Sequence, residues 1–204
     1  MKKISLALAL FFASFIASAQ GPKFGLKAGL NVAKINSDGD LNYDNKLGLN
    51  AGLLAHIHLS PQFALQPEVV YSAQGGKYTF QNVLGNLEEH ELGLDYINIP
   101  LNVQYMFDNG FRLQTGPQLG FLVNVKDKYN DAETEFFTSD DFKSIDISWT
   151  AGLGYLSQTG FGIDARYNFG LSDINDTGGY KLKNNVFQVG IFYLLDNDHK
   201  TKSR

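Results

Sequence analysis

The chain has 204 residues, 21 acidic against 17 basic, with 21 glycines, 13% aromatic residues and no cysteine. The acidic balance argues against nucleic acid as a partner, since binding it needs a basic footprint, and the lack of cysteine excludes disulfides and thiolate chemistry. Mean hydropathy is close to neutral; a helical membrane protein would score higher, whereas a barrel hides its apolar half in alternation.

The first segment reads as an export signal. Lys2 and Lys3 precede the apolar run Leu6 to Ile16, and Ala17-Ser18-Ala19 supplies a small-x-small cleavage site. Residues 1–19 are therefore expected to be removed, which takes two lysines with them and makes the mature chain more acidic. The run is too short for a membrane helix of about 20 residues. Residues 20–195 are expected to form one domain and 196–204 a polar tail.

From Lys23 to Val32 the chain alternates without a miss. Phe24, Leu26, Ala28, Leu30 and Val32 fall on one face, and Lys23, Gly25, Lys27, Gly29 and Asn31 on the other. Similar segments recur at 47–59, 63–73, 94–107, 111–124, 144–156, 161–171 and 185–195, making eight predicted strands. The second, fourth and sixth are followed by short turn-formers: Ser60-Pro61-Gln62, Asp108-Asn109-Gly110 and Ser157-Gln158-Thr159-Gly160. The other connections (34–46, 74–93, 125–143 and 172–184) are read as long polar loops. Short turns at one end and long loops at the other predict an all-β, eight-stranded antiparallel up-and-down transmembrane β-barrel in an outer membrane. Phe24, Phe63, Phe107, Phe111, Tyr155, Phe161 and Tyr193 gather at the short-turn end as an aromatic girdle, with Trp149, Tyr71 and Tyr167 suited to the other interface.

Alternation alone does not orient the faces, because a soluble barrel would turn its apolar set inward around a ligand. Volume decides. The leucines, isoleucines and aromatics are too many for the inside of eight strands, which side chains barely fill. The opposite face is small and glycine-rich, and its charges are few and of both signs: Lys27, Glu68, Arg112, Asp146, Asp164 and Arg166. In a dry lumen such charges must pair, so the three cations are expected to face the three carboxylates as a structural network. This filled scaffold should serve envelope structure or surface interaction through its long loops, with a narrow channel for small solutes as the alternative.

Candidate chemistry is sparse. His56 and His58, two apart on a strand, should both face the lumen, but no third metal ligand accompanies them. His90, in Glu88-Glu89-His90-Glu91, and His199 read as solvated. Asp38 to Asp44 opens like a calcium loop, then fails: Tyr43 takes the glycine position and Leu49 that of the bidentate glutamate. Gly-x-Ser-x-Gly, HExxH and phosphate loops are absent, so no catalytic residue, cofactor or metal is expected. The pair Phe136-Phe137, amid the charges of the third long loop, is a candidate partner contact.

Several segments resemble the Bacteroidetes outer-membrane β-barrel family, called the porin family and PorT-like. They are Phe24-Gly25-Leu26-Lys27-Ala28-Gly29-Leu30-Asn31, Gln74-Gly75-Gly76-Lys77, Tyr96-Ile97-Asn98-Ile99-Pro100-Leu101, Gly116-Pro117-Gln118-Leu119-Gly120-Phe121 and Asp164-Ala165-Arg166-Tyr167-Asn168-Phe169-Gly170-Leu171. The resemblance implies a compact barrel that meets outer-membrane lipids and the barrel assembly machinery. Some relatives take part in protein secretion, so a secretion accessory role is a further expectation. One departure is the polar stretch Asp196 to Arg204, where such barrels usually end near a terminal aromatic.

Overall fold

The computed structural model describes residues 21–39, 42–81, 85, 87–129, 132–134 and 136–195. The expected signal and polar tail lie outside these residues. Ten strands are present: β1 (Lys23–Ser37), β2 (Tyr43–Asp44), β3 (Lys46–His58), β4 (Phe63–Gln81), β5 (Leu87–Met106), β6 (Phe111–Tyr129), β7 (Ala132–Thr134), β8 (Ile145–Leu156), β9 (Phe161–Gly170) and β10 (Leu182–Leu194). Eight of them close a ring, entirely antiparallel, in the order β1-β3-β4-β5-β6-β8-β9-β10 and back to β1. The two short strands only extend it, β2 beside β4 and β7 beside β6. Closure satisfies every strand edge of the ring, which a sheet in lipid requires.

The wall carries its large apolar side chains outward. Phe24, Leu26, Leu30, Leu49, Leu53, Val103, Leu113, Leu153, Ile163, Val189 and Ile191 are all exposed, while the polar residues between them are buried. The short-turn aromatics meet across strands: Phe63 with Tyr105, Phe111 with Tyr155 and Phe161 with Tyr193, at centroid separations of 5.3, 5.4 and 4.6 Å. One inward glycine shows how tight the interior is. A Cβ on Gly162 would collide with the Phe192 ring, so that position has room only for glycine.

The reading of 74–93 and 125–143 as polar loops is corrected. β4 and β5 stay paired without a break from Ala73↔Asp95 to Gln81↔Leu87, and β6 continues to Tyr129. The cause is a change of sign in the alternation. Along β5, the inward positions Asn98, Asn102 and Gln104 are polar, but Leu92, Leu94 and Tyr96 are apolar; the outward positions change from Ile97 and Ile99 to Asp95, Glu91 and Glu89. β1 changes likewise, from inward Lys27 and Asn31 to inward Ala33 and Ile35. Where the barrel leaves the apolar solvent for water, the ordinary inside-apolar rule returns.

Candidate functional site

Three layers fill the lumen. At mid-height, Arg166 of β9 forks onto Glu68 of β4, with both guanidinium nitrogens donating at 3.0 Å. Its Nη2 also donates to Asp164 Oδ2 at 2.6 Å, and Lys27 Nζ of β1 reaches the same oxygen at 2.8 Å. Gln66 Nε2 donates to Glu68 Oε1 at 2.8 Å. All four charged residues are at most 5% exposed. Two cations thus meet two carboxylates, and the bidentate fork is the strongest geometry open to such a pair.

The structure brings together four of the six residues singled out for the lumen, and leaves two apart. Arg112 donates from Nη1 to Gln104 Oε1 at 3.2 Å, with its Cζ 5.6 Å from the Phe192 ring centroid. Asp146 accepts from the Ser172 hydroxyl at 2.6 Å and faces Asn184 Nδ2 at 3.4 Å. Strand alternation fixes a face but not a height, and these two residues sit toward opposite ends of the barrel.

Above the ion cluster lies an amide and hydroxyl layer. Asn31 Nδ2 donates to Ser72 Oγ, and the Asn31 Oδ1 accepts from Asn50 and Gln188 at 2.7 and 2.9 Å. Above that, an apolar cap closes the long-loop end. Ile35, Tyr43, Tyr78, Leu92, Leu94, Tyr96, Phe142, Ile174 and Leu182 form one buried cluster. Asp173 pins its edge by accepting from the Leu182 and Asn175 amides, each at 3.0 Å, and from Lys143 Nζ at 3.2 Å. Burial works against the Asp173 carboxylate, but these hydrogen bonds and the Lys143 charge hold its pKa below the usual range.

His90 is not solvated. It is 9% exposed and stacked between Tyr78 and Tyr129, at centroid separations of 5.1 and 5.0 Å. Its Nδ1 lies 3.5 Å from Asp127 Oδ2, and the Tyr78 hydroxyl donates to Asp127 Oδ1 at 3.1 Å. Burial, with Asp127 nearby, pushes the Tyr78 phenol upward, and burial takes Tyr43 up to about 12. Both phenols therefore stay protonated, and Tyr78 serves as a hydrogen-bond donor. The signal for this site was in the chain: His90, Leu92 and Leu94 continue the inward parity of Tyr96.

The two loop phenylalanines have different fates. Phe137 packs into the cap against Tyr78 and Phe142, while Phe136 is 59% exposed. His56 is buried at the short-turn end and contacts the His58 ring edge-on at 4.6 Å. Among the described residues, no group of three or more His, Cys, Asp or Glu side chains is placed to hold a metal ion.

The family model for the outer membrane protein beta-barrel domain matches residues 18–176. The chain belongs to that family. Among solved structures, this outer-membrane barrel is similar to Neisserial surface protein A (NspA), at 15% identity and a TM-score of 0.53, over 86% of this chain and 99% of that one. Ail, the attachment invasion locus protein of Yersinia pestis, is also similar, at 15% identity and a TM-score of 0.49, over 85% and 99% of the two chains. OprG from Pseudomonas aeruginosa gives 12% and 0.48, over 84% and 95%. No curated protein matches the chain. The family match establishes an outer-membrane barrel, and the likeness to NspA agrees with its fold.

Proposed function

We propose that this outer-membrane barrel is a non-enzymatic scaffold with a plugged lumen, serving envelope structure or surface interaction at its long-loop end. The observation that carries this reading is the stack of three filled layers across the lumen: ion cluster, amide layer and apolar cap. Eight strands leave an interior that side chains can fill completely, and here they do so over the upper part of the barrel. The exposed Phe136 ring stands on the water-facing surface of that cap and is the natural contact for a partner. The PorT-like resemblance supports placing the chain in that branch, with export by cleavage after Ala19 and insertion by the assembly machinery into outer-membrane lipid. A secretion accessory role would use the same loop surface.

One observation favours the alternative of a narrow solute path: a cavity opens at the short-turn end. None of Lys27, Glu68, Asp164 and Arg166 lines it, so it ends below the ion cluster. Planar-bilayer recording on the refolded protein tests the plug. A silent bilayer is expected, and stable, reproducible openings would overturn the scaffold reading.

A further inference from the structure

The short-turn cavity has a volume of about 630 Å3, and its lining includes Lys23, His56, His58, Asp108, Arg112 and Leu194. Its electrostatics are unbalanced. Arg112 is only 4% exposed, yet it makes no ion pair among the described residues. Its guanidinium meets the Gln104 amide oxygen and the Phe192 ring directly, Asp164 acts on it only through its charge, and its Nε has no acceptor among the described residues. His56 is 1% exposed, and neither ring nitrogen makes a hydrogen bond of good geometry, Gln66 being the nearest candidate.

Asp164, the carboxylate whose charge reaches Arg112, is already engaged by two other cations. Asp164 and Glu68 are matched by Lys27 and Arg166 within the cluster above. Asp108 belongs to the exposed turn at the rim, with Lys23 also lining the cavity. Buried cations are normally paired. Here a guanidinium, an imidazole and an ammonium instead surround a space of the size that holds small molecules.

We propose that this cavity binds a small oxyanion, a molecule bearing a carboxylate or phosphate group. Arg112 anchors it through the guanidinium fork, which matches such oxygens in shape as well as charge. His56 donates a ring N–H, and Lys23 draws the anion in. Residues of all three short turns line the cavity, and Arg112 is only 4% exposed, out of reach of the lipid-facing surface, so the ligand is assigned as a free solute and not a lipid headgroup.

The test uses the full chain refolded in a neutral sugar detergent that carries no phosphate. Binding is measured by titration calorimetry in every variant, and in the parent chain also by the NMR shift of the Arg112 Nε–Hε resonance, while inorganic phosphate is added and, in a separate arm, phosphatidylglycerol. A saturable shift with phosphate is the expected result. Arg112→Gln should weaken phosphate binding at least about tenfold while keeping the heat-modifiable gel mobility of a folded barrel. Lys77→Gln, at the far end, should leave binding unchanged. If Arg112→Gln does not refold, Lys23→Gln, which removes a charge from the lining, should still weaken binding. A shift with phosphatidylglycerol alone would overturn the free-solute assignment. No shift with either probe, or undiminished affinity in the charge-removed variant, would overturn the site.

Discussion

The barrel is two structures stacked on one wall. In its lower part, leucines and isoleucines point outward and Lys27, Glu68, Asp164 and Arg166 point inward; above Val32 and Tyr96 the arrangement reverses, with Ile35, Leu92 and Tyr78 inside and Lys34, Glu89 and Glu91 outside. Both are antiparallel pairings on one continuous wall, with a register shift between β5 and β6 at Asp95 and Tyr96, where the two regions join. The main difference is the solvent outside, so the comparison shows what that solvent demands. Lipid outside drives polar groups to satisfy one another within, whereas water outside restores the hydrophobic core.

The two regions should therefore fail differently. The largest effect is expected for Glu68→Gln, which leaves Arg166 and Lys27 with a single carboxylate between them. A loss of about 3–5 kcal/mol is expected from breaking a buried pair, read as a lower denaturant midpoint of the refolded barrel. Adding Arg166→Met to Glu68→Leu should recover most of that loss, since both charges then leave together. A neutral Glu68→Gln would show that the ion cluster does not hold the lower barrel.

Phe142→Ala probes the cap. It removes a large buried ring, worth about 3 kcal/mol in a packed core. That cost should appear as faster hydrogen exchange and proteolysis at the long-loop end, with the unfolding midpoint of the membrane part little changed. Equal loosening of both ends would mean that cap and barrel form one cooperative unit.

The smallest effect is set by pH. The native pKa of Asp173 lies below its unfolded value of about 4, so its contribution is complete above that value and fades as pH falls through the lowered native one. Cap protection against exchange should decline over that acid window in the parent chain. Asp173→Asn should lose that dependence. Persistence of the full slope in the variant would assign it to another group.

Much of this was legible in the sequence. The uninterrupted alternation of β1, the three short turns and the excess of large apolar residues fix the barrel and its orientation. The inward faces of Lys27, Glu68, Arg112, Asp146, Asp164 and Arg166 follow from parity alone. Their heights do not, because the height of a residue depends on the stagger between strands; hence Arg112 and Asp146 stand apart from the cluster. The cap was misread as polar loop because the outward residues there, such as Lys77, Glu89 and Glu91, look like loop residues when apolar-out is the only template. The sign change at Tyr96 and Asp95 was the available clue.

The ion cluster has a consequence for the order in which the barrel forms. Lys27 and Asp164 are 137 residues apart and Glu68 and Arg166 are 98 apart, so no local hairpin can assemble the pairs. β1 also meets β10 only when the last strand arrives. Until that late, non-local step the four charges remain hydrated, and expulsion of their water coincides with ring closure. Drying of the lumen is thus a terminal event of folding, and an unclosed chain carries its own wet, charged marker of incompleteness.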